Sequence, residues 1–257
     1  MTQPATTPAD GQVVASRRGD VCVVELRREA KLNALSSHME AQLDRALSSP
    51  EARDSRCVVV TGGAQAFSAG ADRGEMQAPG PEAIMAGYRT SGQVFERLAA
   101  LPQPTVAAIS GWCLGGGFEL ALACDFRVAS TGATFGFPEV EIGIIPSSGG
   151  TLRLVRAVGP ARAKELVLLR TRVPSAEAHA MGLVTELADG DPLPAAIEMA
   201  TRLAELPGLA ASVAKQAVDV VPESSREAAI LIERLAYAAL AGSQDALRAS
   251  EEFSSHG

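Results

Sequence analysis

The sequence predicts an α/β fold in which strands alternate with helices before a final section that is helical throughout. Five short β-branched runs are typical of strands, at Val21–Leu26, Cys57–Thr61, Thr105–Ile109, Phe126–Ala129 and Leu183–Leu187. Three helical patterns stand between them, at Ser36–Ser48, Glu82–Ala100 and Phe118–Cys124. Strands that alternate with helices favour a core with parallel pairing.

After a turn signal at Asp189–Pro192, the sequence pattern changes from alternating strands and helices to helices alone. Alanine and leucine then recur at helical spacing over Pro194–Leu206, Gly208–Val221 and Glu223–Ala241. We expect a flexible tail over residues 1–10, an α/β core over 11–190 and a helical region over 191–257. The helical region either covers the core or mediates subunit contact.

Composition excludes some broad classes of function. The 257 residues are 47% hydrophobic and carry a formal net charge of −7, whereas sequence-independent nucleic-acid binding needs clustered Lys and Arg. A few local arginines could still hold a ligand with phosphates. The four cysteines, Cys22, Cys57, Cys113 and Cys124, lack zinc spacing and predict buried free thiols in a reducing compartment.

The sequence also predicts a cytoplasmic protein that does not enter a membrane. No uninterrupted apolar stretch reaches transmembrane length. The first ten residues are rich in Thr, Pro and Ala and lack the charged and apolar regions of a signal peptide.

A glycine-rich turn at Gly111–Leu120 is the first candidate for chemistry. It follows a predicted strand and places Gly115, Gly116 and Gly117 at the start of an apolar helix. The exposed N–H groups of a helix start suit an anion or a developing oxyanion. The turn is neither a Walker P-loop nor a clear dinucleotide fingerprint.

Glu119 lies in the first turn of that predicted helix. A carboxylate there can simply stabilise the helix through its dipole or a cap. Its neighbours are apolar, however, and burial raises the pKa of a carboxyl toward the range of a general acid or base. Both interpretations stay open on the residues alone.

Two further segments admit a functional and an ordinary interpretation. Thr61–Asp72 is rich in small residues that let a ligand approach the backbone, but it could be a plain loop after a strand. Glu139 follows Pro138, which restricts the backbone before it, but it could be a solvated loop acid. Ser147 and Ser148 lie further on without a nucleophile-elbow pattern, which disfavours a serine hydrolase.

Taken in order, five segments resemble the enoyl-CoA hydratase/isomerase (crotonase) superfamily. They are Asn33–Leu35, Phe67–Asp72, Gly111–Glu119, Phe135–Glu139 and Gly149–Thr151, within a resemblance that spans about Val21 to Leu187. The resemblance implies a crotonase-type spiral of ββα units with a C-terminal helical region. It also implies a homotrimer or a dimer of trimers.

The resemblance assigns roles to residues of this chain. The backbone N–H groups of Ala71 and Gly116 would form an oxyanion hole, and Glu119 and Glu139 match the two catalytic glutamates of the hydratase branch. The predicted substrate and coenzyme A contacts are Lys31, Ala69, Gly70, Asp72, Gly115, Pro138, Gly143 and Ser147.

The implied activity is addition of water across the C2=C3 bond of a 2-enoyl-CoA in fatty acid or related acyl-CoA metabolism. Coenzyme A is part of the substrate, and no metal or redox cofactor is required. Isomerases of the superfamily commonly keep the glutamate matching Glu139 and replace the one matching Glu119, so the pair favours hydration. The alternatives are a Δ3,Δ2-enoyl-CoA isomerase, a non-catalytic acyl-CoA-binding protein and a thioester hydrolase.

The sequence departs from the family pattern at four places. Arg27-Arg28-Glu29 stands where Asn-Arg-Pro is frequent, and Arg73 stands where an aliphatic residue is usual. Ser147 replaces a frequent glycine, and the tail Asp245–Gly257 lacks the C-terminal end rich in Lys and Arg that is frequent in the family. These departures leave the predicted reaction centre in place and bear on substrate choice and coenzyme A affinity.

Overall fold

Two β-sheets organise the protein. The computed structural model describes residues 10–75, 80, 82 and 93–248. The strands in these ranges are β1 Gln12–Arg18, β2 Val21–Arg27, β3 Cys57–Thr61, β4 Ala66–Ser68, β5 Thr105–Ile109, β6 Trp112–Leu114, β7 Phe126–Ser130, β8 Thr134–Gly136, β9 Val173–Pro174 and β10 Glu186–Ala188. The larger sheet has six strands in the order β1-β2-β3-β5-β7-β10, and the smaller has four in the order β4-β6-β8-β9.

Helices connect and cover the sheets. The α-helices in the described ranges are α1 Ser37–Leu47, α2 Pro50–Arg53, α3 Gln93–Ala99, α4 Gly116–Ala123, α5 Gly150–Leu168, α6 Ser175–Ala180, α7 Leu193–Glu205, α8 Gly208–Val220 and α9 Arg226–Ala241. Short 3-10 helices occupy Glu29–Lys31, Glu139–Ile142 and Val221–Glu223. No helix within the described residues is long and apolar enough to cross a membrane.

The strand order produces a spiral of ββα units, as the family resemblance implies. The first strands of successive units, β3, β5 and β7, pair in parallel in the larger sheet. The second strands, β4, β6 and β8, pair in parallel in the smaller one. The chain therefore steps between the sheets once in each unit. The turns where it steps bring distant segments together.

Apolar side chains pack on both faces of the larger sheet. On one face, Val58, Val60 and Ala107 belong to the cluster that includes Phe118 and Leu120 of α4. On the opposite face, Val59 and Val106 pack with α7 through Ala196, Met199, Ala200 and Ala204. Strands buried on both faces explain why the sequence shows continuous apolar runs there instead of alternation.

Most predicted elements are confirmed, and one strand is wrong in its bounds. β3 and β5 have the predicted limits, and the three C-terminal helices are present. The run Leu183–Leu187 is mostly not a strand, because Leu183 and Val184 donate their N–H groups to Ala178 O and so close α6. Of the helix predicted over Glu82–Ala100, residues 83–92 lie outside the described part of the chain.

Several elements were not predicted. They include β1, the short strands of the smaller sheet, α2 and α6, which are too short or too irregular for periodicity to identify them. β6 lies inside the predicted glycine-rich turn. The four cysteines are buried free thiols, as predicted. The predicted tails 1–10 and Asp245–Gly257 lie outside the described residues, except Asp10 and 245–248. The domain limits stay predictions.

Candidate active site

Helix α4 begins at a glycine turn that leaves backbone donors available. Gly115 precedes the helix with φ 51° and ψ −129°, a conformation that a residue with a Cβ rarely adopts. The N–H of Gly116, the first helical residue, has no acceptor within the helix. The helix dipole adds positive potential at this end. This turn is therefore suited to hold a negatively charged oxygen.

Ala71 supplies the second predicted donor. Leu35 N–H donates to Gly70 O and Asp72 N–H donates to Leu35 O, both at 2.8 Å. In such a parallel bridge, the residue between the two bonded ones turns its own N–H to the opposite side. A Cβ built on Gly116 would lie 3.6 Å from Ala71 N. The two residues predicted as an oxyanion hole therefore lie in contact.

Glu119 is a buried carboxylate, with 4% of its surface exposed. It does not cap its own helix. Its Oε1 accepts hydrogen bonds from the N–H groups of Ser148 at 2.7 Å and Gly150 at 2.9 Å. Burial raises the pKa of Glu119, while the bonds from Ser148 and Gly150 act in the opposite direction. The interpretation of this residue as a desolvated acid is the one the geometry supports.

Glu139 lies against the glycine turn from the other side. It begins the 3-10 helix after Pro138, and a Cβ built on Gly115 would lie 2.7 Å from its Oε1. Its Oε2 is buried and has no hydrogen-bond partner among the described residues. Burial, and then repulsion from Glu119, raise the pKa of Glu139 to about 7. A carboxyl in this state can give or take a proton near neutral pH.

A salt-bridged arginine supports the turn that holds Glu119. Arg153 of α5 donates from Nη1 to Ser148 O at 2.9 Å and from Nη2 to Glu96 Oε1 at 2.7 Å. Its charge also lowers the pKa of Glu119, in opposition to burial. The position of Glu119 therefore depends on α3 and α5 as well as on its own helix.

Other predicted contact residues lie on the same turns. Lys31 is exposed at the end of the first 3-10 helix, and Ala69 N–H donates to Leu32 O at 2.9 Å. Gly70 lies behind Gly116, since its Cβ would be 3.3 Å from Gly116 N. Asp72 uses its carboxylate within the protein, toward Arg28 at 2.6 Å and Gly74 N–H at 2.8 Å.

The remaining predicted contacts lie around the two glutamates. Pro138 directly precedes Glu139, and Gly143 ends the same 3-10 helix with φ 78°. The backbone of Ser147 also affects the pKa of Glu119 and lowers it. Their contact with coenzyme A or the acyl group stays a prediction.

The sequence did not predict several contributors to this site. Ser148 and Gly150 hold Glu119, although the Gly149–Gly150 pair before α5 is the same signal that identified the turn of α4. Arg28 belongs to the Arg27–Glu29 segment that departs from the family pattern, and nothing in the local sequence predicts that it pairs with Asp72. Contacts between distant segments of this kind need the fold.

The chain is similar to a known family and to named proteins over most of its length. The family model described as enoyl-CoA hydratase/isomerase matches residues 16–253. The chain is 37% identical over 236 residues to 2,3-dehydroadipyl-CoA hydratase of Escherichia coli strain K12, covering 91% of this chain and 92% of that protein. It is 35% identical to short-chain-enoyl-CoA hydratase of Clostridium acetobutylicum, with 91% and 90% covered.

Solved structures show the same fold. A putative enoyl-CoA hydratase from Rhodopseudomonas palustris superposes with a TM-score of 0.91 at 30% identity, covering 98% of both chains. Enoyl-CoA hydratase from Bacillus anthracis gives a TM-score of 0.88 at 33% identity, covering 95% of this chain and 96% of that one. The similarity therefore extends over nearly the whole length.

Proposed function

The chain belongs to the enoyl-CoA hydratase/isomerase family, and we propose that it adds water across the C2=C3 double bond of a 2-enoyl-CoA. One observation carries the proposal. Glu119, in the first turn of α4, and Glu139, against Gly115, come from separate segments and flank the backbone of Gly116, which lies close to Ala71 N. Hydration needs two acid/base groups beside an oxyanion hole, whereas simple acyl-CoA binding does not.

The oxyanion hole prepares the substrate. Two N–H donors on the thioester oxygen withdraw electrons from the conjugated system and make C3 electrophilic. They also stabilise the enolate that forms when water attacks C3. Loss of one such donor costs about 10²–10³ in rate.

The surroundings of the two glutamates favour different roles. Glu119 Oε1 accepts two N–H bonds, which favour the ionised form, so we assign Glu119 to remove a proton from water as its oxygen attacks C3. Glu139 has an unpartnered buried oxygen and a pKa raised to about 7, so we assign it to deliver its proton to C2. The pair holds one proton before and after the step, and no redox cofactor or metal is needed.

We also propose that the protein acts as a trimer or a dimer of trimers in a reducing, cytoplasmic compartment. No residue of helices α8 and α9 is fully buried within the single chain. Leu231, Leu235 and Tyr237 of α9 are each more than half exposed, which is unfavourable unless another surface covers them. The buried free thiols support a reducing compartment. Sedimentation velocity on the purified chain tests the assembly, and a monomer at micromolar concentration would contradict it.

The activity is tested by the loss of enoyl-thioester absorbance after addition of crotonyl-CoA and longer 2-enoyl-CoAs. Wild type should hydrate at least one of them, and Glu119→Gln and Glu139→Gln should each lose at least about 10²-fold in rate. Glu141→Gln is a matched control, since Glu141 is an exposed acid of the same 3-10 helix that pairs with Arg170. Absence of hydration by wild type would contradict the proposal. Conversion of a 3-enoyl-CoA that depends on Glu139 alone would assign an isomerase instead.

A further inference from the structure

A mostly buried ion pair lies directly behind the Ala71 donor. Arg28 Nη1 lies 2.6 Å from Asp72 Oδ2 and also donates to Ala34 O at 2.9 Å. Only 9% of the Arg28 side chain and 16% of the Asp72 side chain are exposed. One guanidinium thus joins two segments that are far apart in sequence.

Those two segments are the ones that set the direction of the Ala71 N–H. Ala71 lies between Gly70 and Asp72, which both bond to Leu35. Arg28 contacts Ala34, which precedes Leu35, and Asp72, which follows Ala71. It therefore links the same two segments that the backbone bonds of Leu35 join. Any rotation of the Ala71 peptide has to change at least one of these bonds.

The arginine is itself held in place. Its backbone N–H donates to Asn33 Oδ1 at 2.7 Å, and the amide of Asn33 donates in turn to Ala66 O at 2.8 Å and to Gly62 O. A Cβ on Gly11 would lie 2.9 Å from Arg28 Cδ, so Gly11 covers the aliphatic stem. The whole arrangement leaves little freedom to the guanidinium.

A gain in the stability of the fold does not readily explain why Arg28 and Asp72 form a buried ion pair. Burial of two charges costs desolvation that their attraction often does not exceed. In addition, the buried Nε of Arg28 has no partner among the described residues, which is a further cost. Both contacts come from one atom, Nη1, which lies between Asp72 and Ala34 and so links two backbone segments at once.

We propose that Arg28, acting through Asp72 and Ala34, is a positioning residue that keeps the Ala71 N–H directed at the thioester oxygen. This inference rests on the proposed function, because it concerns the oxyanion hole of that reaction. Loss of the guanidinium allows the Ala71 peptide to rotate while the two glutamates stay in place. The rate should therefore fall through kcat, with little change in KM.

The test uses the absorption of a bound cinnamoyl-type CoA thioester, whose red shift reports how strongly its carbonyl is polarised. Arg28→Met should reduce the red shift and lower kcat for hydration by about 10- to 100-fold, with KM within about threefold. Arg28→Lys should recover part of both effects, because it keeps the charge but lacks the planar guanidinium that places Nη1 between Asp72 and Ala34. Arg97→Met is the matched control, since Arg97 pairs with Asp44 in a half-exposed position, and it should behave as wild type.

A folded Arg28→Met variant that keeps the full red shift and the wild-type kcat would overturn the proposal. If that variant does not fold, Asp72→Asn replaces it, since asparagine can still accept from Gly74 N–H while losing the ion pair. A full red shift in Asp72→Asn would then overturn it. If wild type shows a red shift without hydration, the hydratase proposal fails and the variants still decide the role of Arg28. A wild type without any shift overturns both.

Discussion

Glu119 Oε1 accepts a 2.9 Å hydrogen bond from Gly150 N–H, so a carboxylate at the start of α4 is held by the start of α5. The approach is so close that a Cβ on Gly150 would lie 2.5 Å from Glu119 Cγ. Two helix N-termini therefore serve one site in different ways. In the proposed reaction, one directs N–H groups at the substrate oxygen, and the other directs them at the group that takes a proton from water.

This contact makes Gly150→Ala a test of how the carboxylate is placed. The added methyl group should displace Glu119 and lower kcat by about 10- to 100-fold, since small misplacements of a reacting group are costly. Gly132→Ala is the matched control, because a Cβ there meets nothing within 4 Å. Steady-state hydration kinetics measure kcat for both variants. Equal values would show that Glu119 tolerates the displacement.

The pH dependence of hydration should report the proton on Glu139. Burial, and then repulsion from Glu119, raise the pKa of this carboxyl to about 7. The proposed step needs Glu139 protonated, so kcat/KM should fall as the pH rises through about 7. Because the two glutamates interact, the observed value belongs to the pair. A kcat/KM that stays level up to pH 9 would contradict the assignment of Glu139 as the acid.

Removal of the charge on Glu119 should move the titration of Glu139 to lower pH. Repulsion by Glu119 is one of the causes that raise the Glu139 pKa, and glutamine removes it. The protonated-carboxyl infrared band, identified by its loss in Glu139→Gln, can be titrated in wild type and in Glu119→Gln. An unchanged midpoint would show that the two groups are too far apart to act on one water.

Glu139→Gln should stabilise the fold at alkaline pH while it abolishes activity. The folded protein keeps the proton on this carboxyl up to about pH 7, whereas the unfolded chain loses it near the ordinary value of 4.5. The free energy of unfolding therefore falls as the pH rises through this interval, and above it the full cost of up to about 3 kcal/mol remains. Glutamine avoids that cost.

Denaturant unfolding of wild type and Glu139→Gln at pH 8 and at pH 5 measures this effect. The variant should be more stable than wild type at pH 8, and most of the difference should disappear at pH 5. A difference that is the same at both pH values would come from packing instead of charge.

The attachment of helix α8 to the core should depend in part on one ion pair. No residue of α8 is fully buried within the single chain, but the Lys215 side chain is only 9% exposed and its Nζ lies 2.9 Å from Asp125 Oδ2. Lys215→Met leaves the Asp125 charge without its partner and should lower the free energy of unfolding by about 1–3 kcal/mol. Arg162→Met removes an exposed pair with Glu165 and should change it by less than about 1 kcal/mol. Equal effects in denaturant unfolding would contradict a special role for Lys215.

The linear order of residues by itself determined the α/β class, most of the longer strands and helices and the identity of the glycine turns. It did so because continuous apolar runs and helical spacing reflect burial within single elements. It also placed Glu119 on an apolar helix, which predicted a desolvated acid. The residue types alone left open whether Glu119 was a cap or a catalyst.

The tertiary structure shows that Glu119 accepts hydrogen bonds from another segment instead of capping its own helix, which is a matter of distances between segments. Its catalytic role stays a proposal. The spiral brings the start of α5 onto Glu119 and places Glu139 against Gly115. It also sets Arg28 behind Ala71, by way of Asp72. Local periodicity carries no information on which turns meet, because the meeting depends on how strands pair across the two sheets. The glutamates were visible in the sequence, and the surroundings that distinguish their roles were not.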